Sequence, residues 1–395
     1  MSKIMAVNAG SSSLKYQLIE MPAADVLCSG VIERIGLNDS LFSIEVNGEK
    51  HKDVLDIEDH TKAVNLVLDA LTKYNVVSSL DEIDGVGHRF VHGGEKFVSS
   101  VVINDEVVAA MEELSDLAPL HNPANLVGYR AFKDALKEVG HVAVFDTAFH
   151  QTMEKDTFVY PIPYEYYEDF GVRKYGFHGT SHLFVSKRAN ELLGNQKDSK
   201  VITCHLGNGA SLAAVKDGKS INTSMGLTPL AGVMMGTRSG DIDPAIITFL
   251  MDKTSMSAYE VMDVLNKKSG MLGLSKISSD ARDIENGLNE GNELAKLTVD
   301  VYVNRIMDTI GSYFVKLGGL DAIVFTAGLG ENAPMFRKLI CEKLECLGVK
   351  IDDDRNNVRG KETLISSDDS KVKVFLIPTN EELVIAQDTT ALLGL

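Results

Sequence analysis

The sequence predicts an α/β protein of two domains built on a duplicated fold. The chain has 395 residues, more than one compact core of ordinary size accommodates. Short apolar strands alternate with segments whose apolar residues have helical spacing. The same order of strand, glycine-rich turn and returning strand occurs near the N-terminus and again midway along the chain. Since ligands bind at the carboxyl ends of strands in open α/β sheets, these turns are the first candidate sites.

Two glycine-rich turns predict phosphate binding. Residues 4–7 form a short apolar strand that runs into the turn 8–13, of sequence NAGSSS. This turn and Lys15 combine glycine, hydroxyl groups and an ammonium, which together wrap phosphate oxygens without crowding them. A second turn, 205–209, has the sequence HLGNG and follows the apolar strand 200–204. A serine-rich hairpin turn without a ligand is the alternative for the first turn.

Helices and strands alternate along the rest of the chain, as their apolar patterns indicate. We expect helices over residues 60–74, 244–251, 259–265, 293–317 and 381–393, and further strands over 14–19, 26–32, 86–91, 142–145, 210–215, 321–326 and 372–377.

A third glycine-rich segment, Gly328 to Asn332, follows a strand and suits the adenosine end of a nucleotide. With Ala333 it completes a GxGxxA pattern, and the acidic Asp352 lies about where a dinucleotide-binding fold places its ribose contact. Dinucleotide binding is therefore a rival for this segment alone. Too few residues follow Asp352 for the further βα units of such a domain, and we expect a loop that binds adenosine.

The charge balance makes two arginines notable. Aspartate and glutamate number 56 against 39 lysines and arginines, a net charge of −17, which disfavours nucleic acid and anionic lipid as partners. An anionic substrate then needs its own local cations. Arg89 lies at a strand end and Arg238 between glycines, and a guanidinium binds carboxylate or phosphoryl oxygens two at a time.

Three further segments carry polar side chains suited to catalysis. Asp146 directly follows a buried strand, where a helix cap is the alternative reading. His178 and His182 are spaced as metal ligands on a helix, but no HExxH motif or third ligand accompanies them. We expect His178 to donate to a transferring phosphoryl group and His182 to be structural. Glu381 opens the last helix, as a first-turn carboxylate or as a contact to Mg²⁺ through water.

Cysteine usage and hydropathy indicate the compartment. The four cysteines form no CxxC pair. We expect no signal peptide, and no run approaches the ~20 apolar residues that span a bilayer. We therefore expect a cytoplasmic protein with no membrane partner.

Nine segments together closely resemble the acetate kinases, members of the actin, heat-shock-chaperone and sugar-kinase superfamily. The resemblance covers essentially the whole chain. The segments are VNAGSSSLKY, GHRFVHGG, HNPAN, VFDTAFH, YGFHGTSH, HLGNGASL, NTSMGLTPLAGVMMGTRSGDIDP, FTAGLGEN and PTNEEL.

The resemblance implies a role for each candidate residue. It implies catalytic roles for Asp146, His178 and Arg238. It implies acetate binding by Arg89, with a small acyl pocket of Val91, Leu120, Phe177 and Pro229. ATP is the implied co-substrate, bound by Lys15, His205, Leu206, Gly207, Asn208, Gly209, Asp280, Ala281, Arg282, Gly328, Leu329, Gly330, Glu331 and Asn332. Mg²⁺ is the implied metal, with Mn²⁺ as the alternative, held near Asn8 and Glu381.

The resemblance also implies an architecture. Two duplicated actin-like (ribonuclease H-like) domains are expected, with the active site in the cleft between them. The first would hold residues 1–149 and 383–395, because the last helix returns to it. The second, residues 150–382, would bind nucleotide and form a homodimer.

The expected reaction is direct in-line transfer of the γ-phosphoryl group of ATP to acetate. Acetate arrives without a proton to remove, so Asp146 is expected to orient metal-bound water or Arg238 rather than act as a base. A propionate or other short-chain acyl kinase is the nearest rival, and Val91 favours acetate because it leaves less room than a smaller residue. A non-metabolic nucleotide switch, related to actin or the chaperones, is a more distant one.

Overall fold

A computed structural model of the chain describes residues 1–119 and 121–395 and divides it into two compact units. One unit holds residues 1–149 and 380–395, and the other holds 150–379. Each unit is built around one mixed β-sheet. None of the helices within the described residues is long and apolar enough to cross a bilayer.

The sheet of the first unit has eight strands in the order β5-β4-β3-β2-β1-β6-β8-β7. The strands are β1 (Ser2–Ala9), β2 (Ser13–Met21), β3 (Asp25–Glu33), β4 (Ser40–Val46), β5 (Glu49–Leu55), β6 (Ile83–Phe90), β7 (Val101–Val102) and β8 (Gly140–Phe145). β1 is antiparallel to β2 and parallel to β6, which is parallel to β8. The carboxyl ends of β1, β6 and β8 therefore meet at one edge.

Three helices of the first unit precede the second sheet in the chain: α1 (His60–Lys73), α2 (Asp105–Glu113) and α3 (Asn122–Ala135). Asp59 caps α1 by accepting a hydrogen bond from the Lys62 amide at 2.8 Å. The buried face of α1 joins the core cluster formed by β1 to β4. This packing covers one face of the sheet and leaves the ends of its strands available for a functional site.

The sheet of the second unit repeats the central arrangement of the first. Its strands are β9 (Lys200–Leu206), β10 (Ala210–Lys216), β11 (Lys219–Thr223), β12 (Ala322–Thr326), β13 (Thr363–Leu364) and β14 (Lys373–Leu376), in the order β11-β10-β9-β12-β14-β13. β9 is antiparallel to β10 and parallel to β12, and β12 is parallel to β14. The predicted duplication is confirmed, since β11-β10-β9-β12-β14 has the order and directions of β3-β2-β1-β6-β8.

The second unit contains most of the helices. They are α4 (Lys155–Phe158), α5 (Glu165–Phe170), α6 (Gly179–Leu192), α7 (Ala245–Thr254), α8 (Ala258–Lys267), α9 (Gly270–Ser275), α10 (Ala281–Asn289), α11 (Glu293–Leu317), α12 (Ala327–Asn332), α13 (Pro334–Lys343) and α14 (Asp353–Asn356). The last helix of the chain, α15 (Glu381–Leu393), belongs to the first unit. Every strand and helix expected from the apolar patterns is present, and the predictions 293–317 and 381–393 match both ends.

Helix α15 packs closely on the first sheet because two strand residues are glycines. A Cβ on Gly87 would lie 2.3 Å from Oγ1 of Thr389, and one on Gly85 would lie 2.9 Å from Cδ1 of Leu393. This close approach fixes the N-terminus of α15, which carries Glu381, relative to the strands of its own sheet.

The predicted loop from Gly328 to Asn332 is wrong, because the segment is the short helix α12. Glycine disfavours helix locally, but tertiary contacts override this preference. Oε1 of Glu331 accepts hydrogen bonds from the amides of Ala327 and Thr379, at 2.8 and 3.1 Å. The buried Arg337 donates to the carbonyls of Gly330 and Glu331. The adjoining sheet is mixed rather than parallel, so it is not the fold that the dinucleotide-binding alternative requires.

Candidate functional site

In the first unit, three predicted residues meet at the shared edge of β1, β6 and β8. Asn8 and Arg89 lie at the ends of β1 and β6, and Asp146 directly follows β8. Arg89 donates from Nε and Nη2 to the two carboxylate oxygens of Asp146, at 2.8 and 2.5 Å. Its Nη1 lies 3.3 Å from Oδ1 of Asn8. The parallel register therefore assembles a guanidinium held on one side by a carboxylate and an amide.

The N-terminus of α15 brings two more carboxylates to this first unit's group. Glu381 is in the first turn, and Glu382 forms an ion pair with Lys15. Burial raises the pKa of Glu381 to about 7; Arg89 opposes this rise, while Asp146 and Glu382 add to it. A bound cation would stabilise the ionised form of such a carboxyl, which lies beside other carboxylates.

Two asparagines that sequence reasoning left without a role fix the chain after β6. Oδ1 of Asn125 accepts from the amide of Val91 at 3.1 Å, and its Nδ2 donates to the carbonyl of Ala9 at 2.6 Å. Asn122 exchanges two hydrogen bonds with the backbone of His92. The HNPAN run at the start of α3 was the available signal. Leu120, predicted for the acyl pocket, lies outside the described residues.

In the second unit, Arg238 and His178 approach the same point, above Gly209. A Cβ on Gly209 would lie 2.5 Å from Nη2 of Arg238 and 3.4 Å from Nε2 of His178. Glycine is therefore required here for close approach. The amide of Gly236, in the turn that carries Arg238, donates to the carbonyl of Asn208 at 3.0 Å, which ties the two glycine turns together.

Arg238 is a half-buried cation whose environment suits an anion. Its Nη1 donates to the carbonyl of Pro229 at 2.6 Å, and it forms no ion pair with any residue that the structure describes. Burial lowers the pKa of Arg238. An oxyanion at this position would supply the missing counter-charge, since buried cations are ordinarily paired. Of the predicted acyl-pocket residues, Pro229 thus lies beside Arg238, and buried Phe177 directly precedes His178.

The three segments predicted to bind ATP surround one cavity of the second unit, with a volume of about 510 Å³. Its lining residues are Gly207, Asn208, Met271, Ser279, Asp280, Ala281, Arg282, Glu285, Gly328, Leu329, Asn332, Ala333 and Arg359. Asp280 caps α10 and pairs with Arg282, whose hydrogen bonds lower the pKa of Asp280 to about 2. Sequence reasoning missed Met271, Ser279, Glu285 and Arg359, which no local motif marks, and noted Ala333 only as the end of the GxGxxA pattern.

Five predicted ATP ligands of the second unit are absent from the described lining of this cavity: His205, Leu206, Gly209, Gly330 and Glu331. Leu206 and Gly330 are buried and pack together, with 3.7 Å between the Leu206 Cβ and the position of a Cβ on Gly330. The ring of His205 stacks on that of His178, with centroids 4.1 Å apart. Leu206 and Gly330 therefore belong to the core of this unit, and His205 packs against the ring that reaches Gly209.

Known proteins resemble this chain over its whole length. A model of the Acetokinase family matches residues 3–387. An acetate kinase of Geobacillus kaustophilus is 61% identical over 396 residues, covering 100% of both chains. The crystal structure of Porphyromonas gingivalis acetate kinase superposes with a TM-score of 0.95 at 48% identity, covering 100% of both chains. A propionate kinase from Francisella tularensis has a TM-score of 0.94 at 43% identity, covering 99% of this chain and 100% of its own.

The central strands of the two sheets share one order, and the match to the Acetokinase family model spans nearly every residue of the chain. The protein belongs to the acetokinase family.

Proposed function

We propose that this chain is an ATP:acetate phosphotransferase, which transfers the γ-phosphoryl group of ATP to acetate to give acetyl phosphate and ADP, reversibly. The observation that carries this proposal is membership of the acetokinase family over residues 3–387. The guanidinium of Arg89 and the paired donors at Gly209 support it, because the reaction joins two anions.

Arg89 would bind acetate. A guanidinium has five N–H donors, and Asp146 and Asn8 engage three of them. One N–H on each terminal nitrogen remains for the two oxygens of acetate. Asp146 fixes the plane of the guanidinium, which is a positioning role. The sequence predicted that Asp146 orients metal-bound water or Arg238. In the structure, Asp146 accepts hydrogen bonds from Arg89.

Arg238 and His178 would face the transferring phosphoryl group. Phosphoryl transfer passes through a loose transition state, so the protein mainly aligns the reactants and neutralises charge. An acetate oxygen forms a bond to the γ-phosphorus, the bond to the β–γ bridging oxygen breaks, and ADP leaves with that oxygen. No proton moves, because acetate titrates roughly as glutamate does, near 4.3, and arrives ionised. Each donor to the equatorial oxygens typically contributes ~10²–10³ in turnover.

The first unit's carboxylates fit a divalent cation of the Mg²⁺ type. Mg²⁺ binds through one or two carboxylates plus water and substrate phosphates. The raised pKa of Glu381, caused by burial and added to by Asp146 and Glu382, marks a place where a cation is favourable. No cluster of three or more His, Cys, Asp or Glu side chains suited to a metal occurs in the described residues. Glu381 and Asn8 would hold it, with Mn²⁺ as the alternative, and it would neutralise phosphate charge.

Propionate is the second candidate substrate, because a propionate kinase shares 43% identity with this chain. One methylene is worth only ~1–3 kcal/mol in an apolar pocket. The test is acyl phosphate formation from MgATP and acetate, propionate or butyrate, trapped with hydroxylamine. The highest kcat/KM with acetate supports the proposal, and a preference for propionate replaces it. ATP hydrolysis without hydroxamate would favour the nucleotide-switch alternative.

We propose helix α7 as the face of a homodimer. In α7, all of which the structure describes, no residue is buried, although most of its residues are apolar. Phe249 is 60% exposed, and Tyr259 at the start of α8 is 89% exposed. Exposed apolar patches of this kind mark protein interfaces, and a second copy of the chain is the occupant proposed here.

Light scattering after size-exclusion chromatography tests this face. Phe249→Asp should convert a dimer to a monomer, whereas Val315→Asp, at another exposed apolar position on α11, should leave it a dimer. A wild-type monomer would contradict the dimer, and a dimeric Phe249→Asp would contradict the face. We also propose that the protein resides in the cytoplasm, where ATP is available. The free state of all four cysteines agrees with this location.

A further inference from the structure

His178 is held in an uncommon conformation by its surroundings. Its backbone φ is +57°, in the left-handed region that residues other than glycine seldom occupy. Its ring stacks on His205, and its Nδ1 lies 2.9 Å from Oγ of Ser211. Such conformations persist only where neighbouring contacts fix them, and they cluster at functional sites.

A chain of buried hydrogen bonds continues from Ser211 into the core. Oγ of Ser211 is also 2.8 Å from Nε2 of His182, and Nδ1 of His182 is 2.7 Å from Oγ1 of Thr203. Ser211, His182 and Thr203 are each 0% exposed. The order His178, Ser211, His182, Thr203 therefore runs from the Gly209 position to the middle of β9.

The direction of donation along this chain follows from the Thr203 hydroxyl. Among the described residues, its only side-chain hydrogen bond is the one to His182. If Thr203 accepted there, its own buried hydrogen would have no acceptor, which is costly. Thr203 therefore donates to Nδ1 of His182. Burial lowers the pKa of His182 and keeps the ring neutral, with His150 and His205 adding to this effect, so its one proton lies on Nε2.

The direction of donation at Ser211 determines in the same way which nitrogen of His178 carries the proton. Nε2 of His182 donates to Ser211, and a hydroxyl has one hydrogen, which Ser211 then donates to Nδ1 of His178. Because Nδ1 of His178 accepts, its ring is neutral with the proton on Nε2. This nitrogen faces the Gly209 position beside Nη2 of Arg238. A neutral donor avoids placing a second cation next to that guanidinium.

We propose that Thr203, His182 and Ser211 are positioning residues that fix the proton of His178 on Nε2, where it can donate to the transferring phosphoryl group. The functional part of this inference rests on the proposed phosphotransferase activity. The tautomer itself follows from the contacts alone, so the two can be tested separately.

The direct test is the ¹⁵N NMR spectrum of the full chain with labelled histidine, recorded without substrates. Protonated and unprotonated ring nitrogens have well-separated shifts, and the signals lost in His178→Gln assign the ring. Wild type and Thr203→Ser should carry the His178 proton on Nε2. In Thr203→Val, His182 loses its donor, and the His178 proton should move towards Nδ1. A wild-type proton on Nδ1, or no change in Thr203→Val, would overturn the proposal.

Kinetics with MgATP and acetate provide the second readout. Thr203→Val should lower kcat by ~10–100-fold with both KM values within about twofold of wild type, as loss of an orienting partner typically does. Thr203→Ser should restore kcat. Ser366→Ala is the control, because Ser366 is also buried in this unit, and its hydroxyl bonds, among the described residues, only to the Val374 amide on β14. Wild-type kcat in Thr203→Val would contradict the inference, whereas an inactive wild type would contradict the proposed function and leave the NMR result standing.

Discussion

The Arg89 guanidinium and the Asp146 carboxylate meet at two points, with Nε–Oδ1 at 2.8 Å and Nη2–Oδ2 at 2.5 Å. Asp146 is 1% exposed, and Arg89 supplies the counter-charge that a buried carboxylate needs. Burial alone would lower the pKa of Arg89, but the attraction and hydrogen bonds of Asp146 more than offset this and raise it. The pair therefore holds the guanidinium in one plane and one charge state.

Asp146→Asn should weaken acetate use rather than remove a base. The amide can keep one contact to Arg89 but not the second, and misplacement of a binding group can cost on the order of 10²-fold. We expect kcat/KM for acetate to fall by about this amount, while the rate-versus-pH profile keeps its shape. Asp388→Asn, at another carboxylate of this unit that accepts from Ser100, is the control. Disappearance of an acidic limb from the profile would instead show proton transfer by Asp146.

Gly209→Ala should lower turnover without unfolding the protein. Gly209 does not need a left-handed backbone, but its added methyl would lie 2.5 Å from Nη2 of Arg238. Displacing Arg238 should reduce kcat by ~10²–10³-fold, the usual loss for one electrophilic donor. Gly311→Ala is the matched control, since a methyl there meets nothing within 4 Å. Full turnover by Gly209→Ala would contradict the assignment of Arg238 and His178.

Val91→Ala should shift preference towards propionate. Val91 is 7% exposed and its amide is held by Asn125. Shortening its side chain opens space for one methylene, which is worth ~10-fold or more in relative kcat/KM. Val86→Ala, on strand β6, which Val91 follows, is 0% exposed and controls for general loosening. If the ratio of propionate to acetate kcat/KM is the same in Val91→Ala and wild type, Val91 does not line the acyl pocket.

The buried pair His88 and His141 should make the protein less stable in acid. Nε2 of His88 lies 2.9 Å from Nδ1 of His141. Burial lowers the pKa of His141 to about 4, with Lys133 adding to this and the Leu136 carbonyl opposing it; burial, then His141, holds the pKa of His88 well below 6.5. Below pH ~6.5 the unfolded chain binds protons that the folded chain excludes, so the free energy of unfolding falls as pH drops towards ~4, by ~1.4 kcal/mol per unit per histidine.

Urea unfolding at several pH values measures this slope. His88→Gln/His141→Gln keeps hydrogen-bonding groups but cannot titrate, so its free energy of unfolding should fall less steeply between pH ~6.5 and ~5. Equal slopes for the double variant and wild type would mean that this pair is not the titrating element.

Local sequence predicted the strands and the first two turns because apolar runs and glycine act over a few residues. It did not predict α12, whose glycines are held in a helix by Glu331 and Arg337 through contacts with Thr379, Asn356 and Val358. Those partners become neighbours only once the second sheet has formed.

The residues of the candidate site were likewise predicted only in part from the sequence. Arg89, Asp146 and Arg238 stand out because charge at a strand end or between glycines is rare locally. Thr203 and Ser211 do not, because hydroxyls on buried strands look like ordinary core residues until the fold brings His182 between them. Residues that orient other residues are therefore the part that sequence patterns leave unmarked.

Oxygen transfer from labelled acetate tests the central claim, which is that an acetate oxygen attacks the phosphorus that ATP donates. The enzyme is incubated with MgATP and [¹⁸O₂]acetate, and hydroxylamine then cleaves the acyl phosphate at its carbonyl carbon, which leaves the bridging oxygen on phosphate. We predict one ¹⁸O atom in each phosphate released. Unlabelled phosphate, or AMP in place of ADP, would contradict direct transfer.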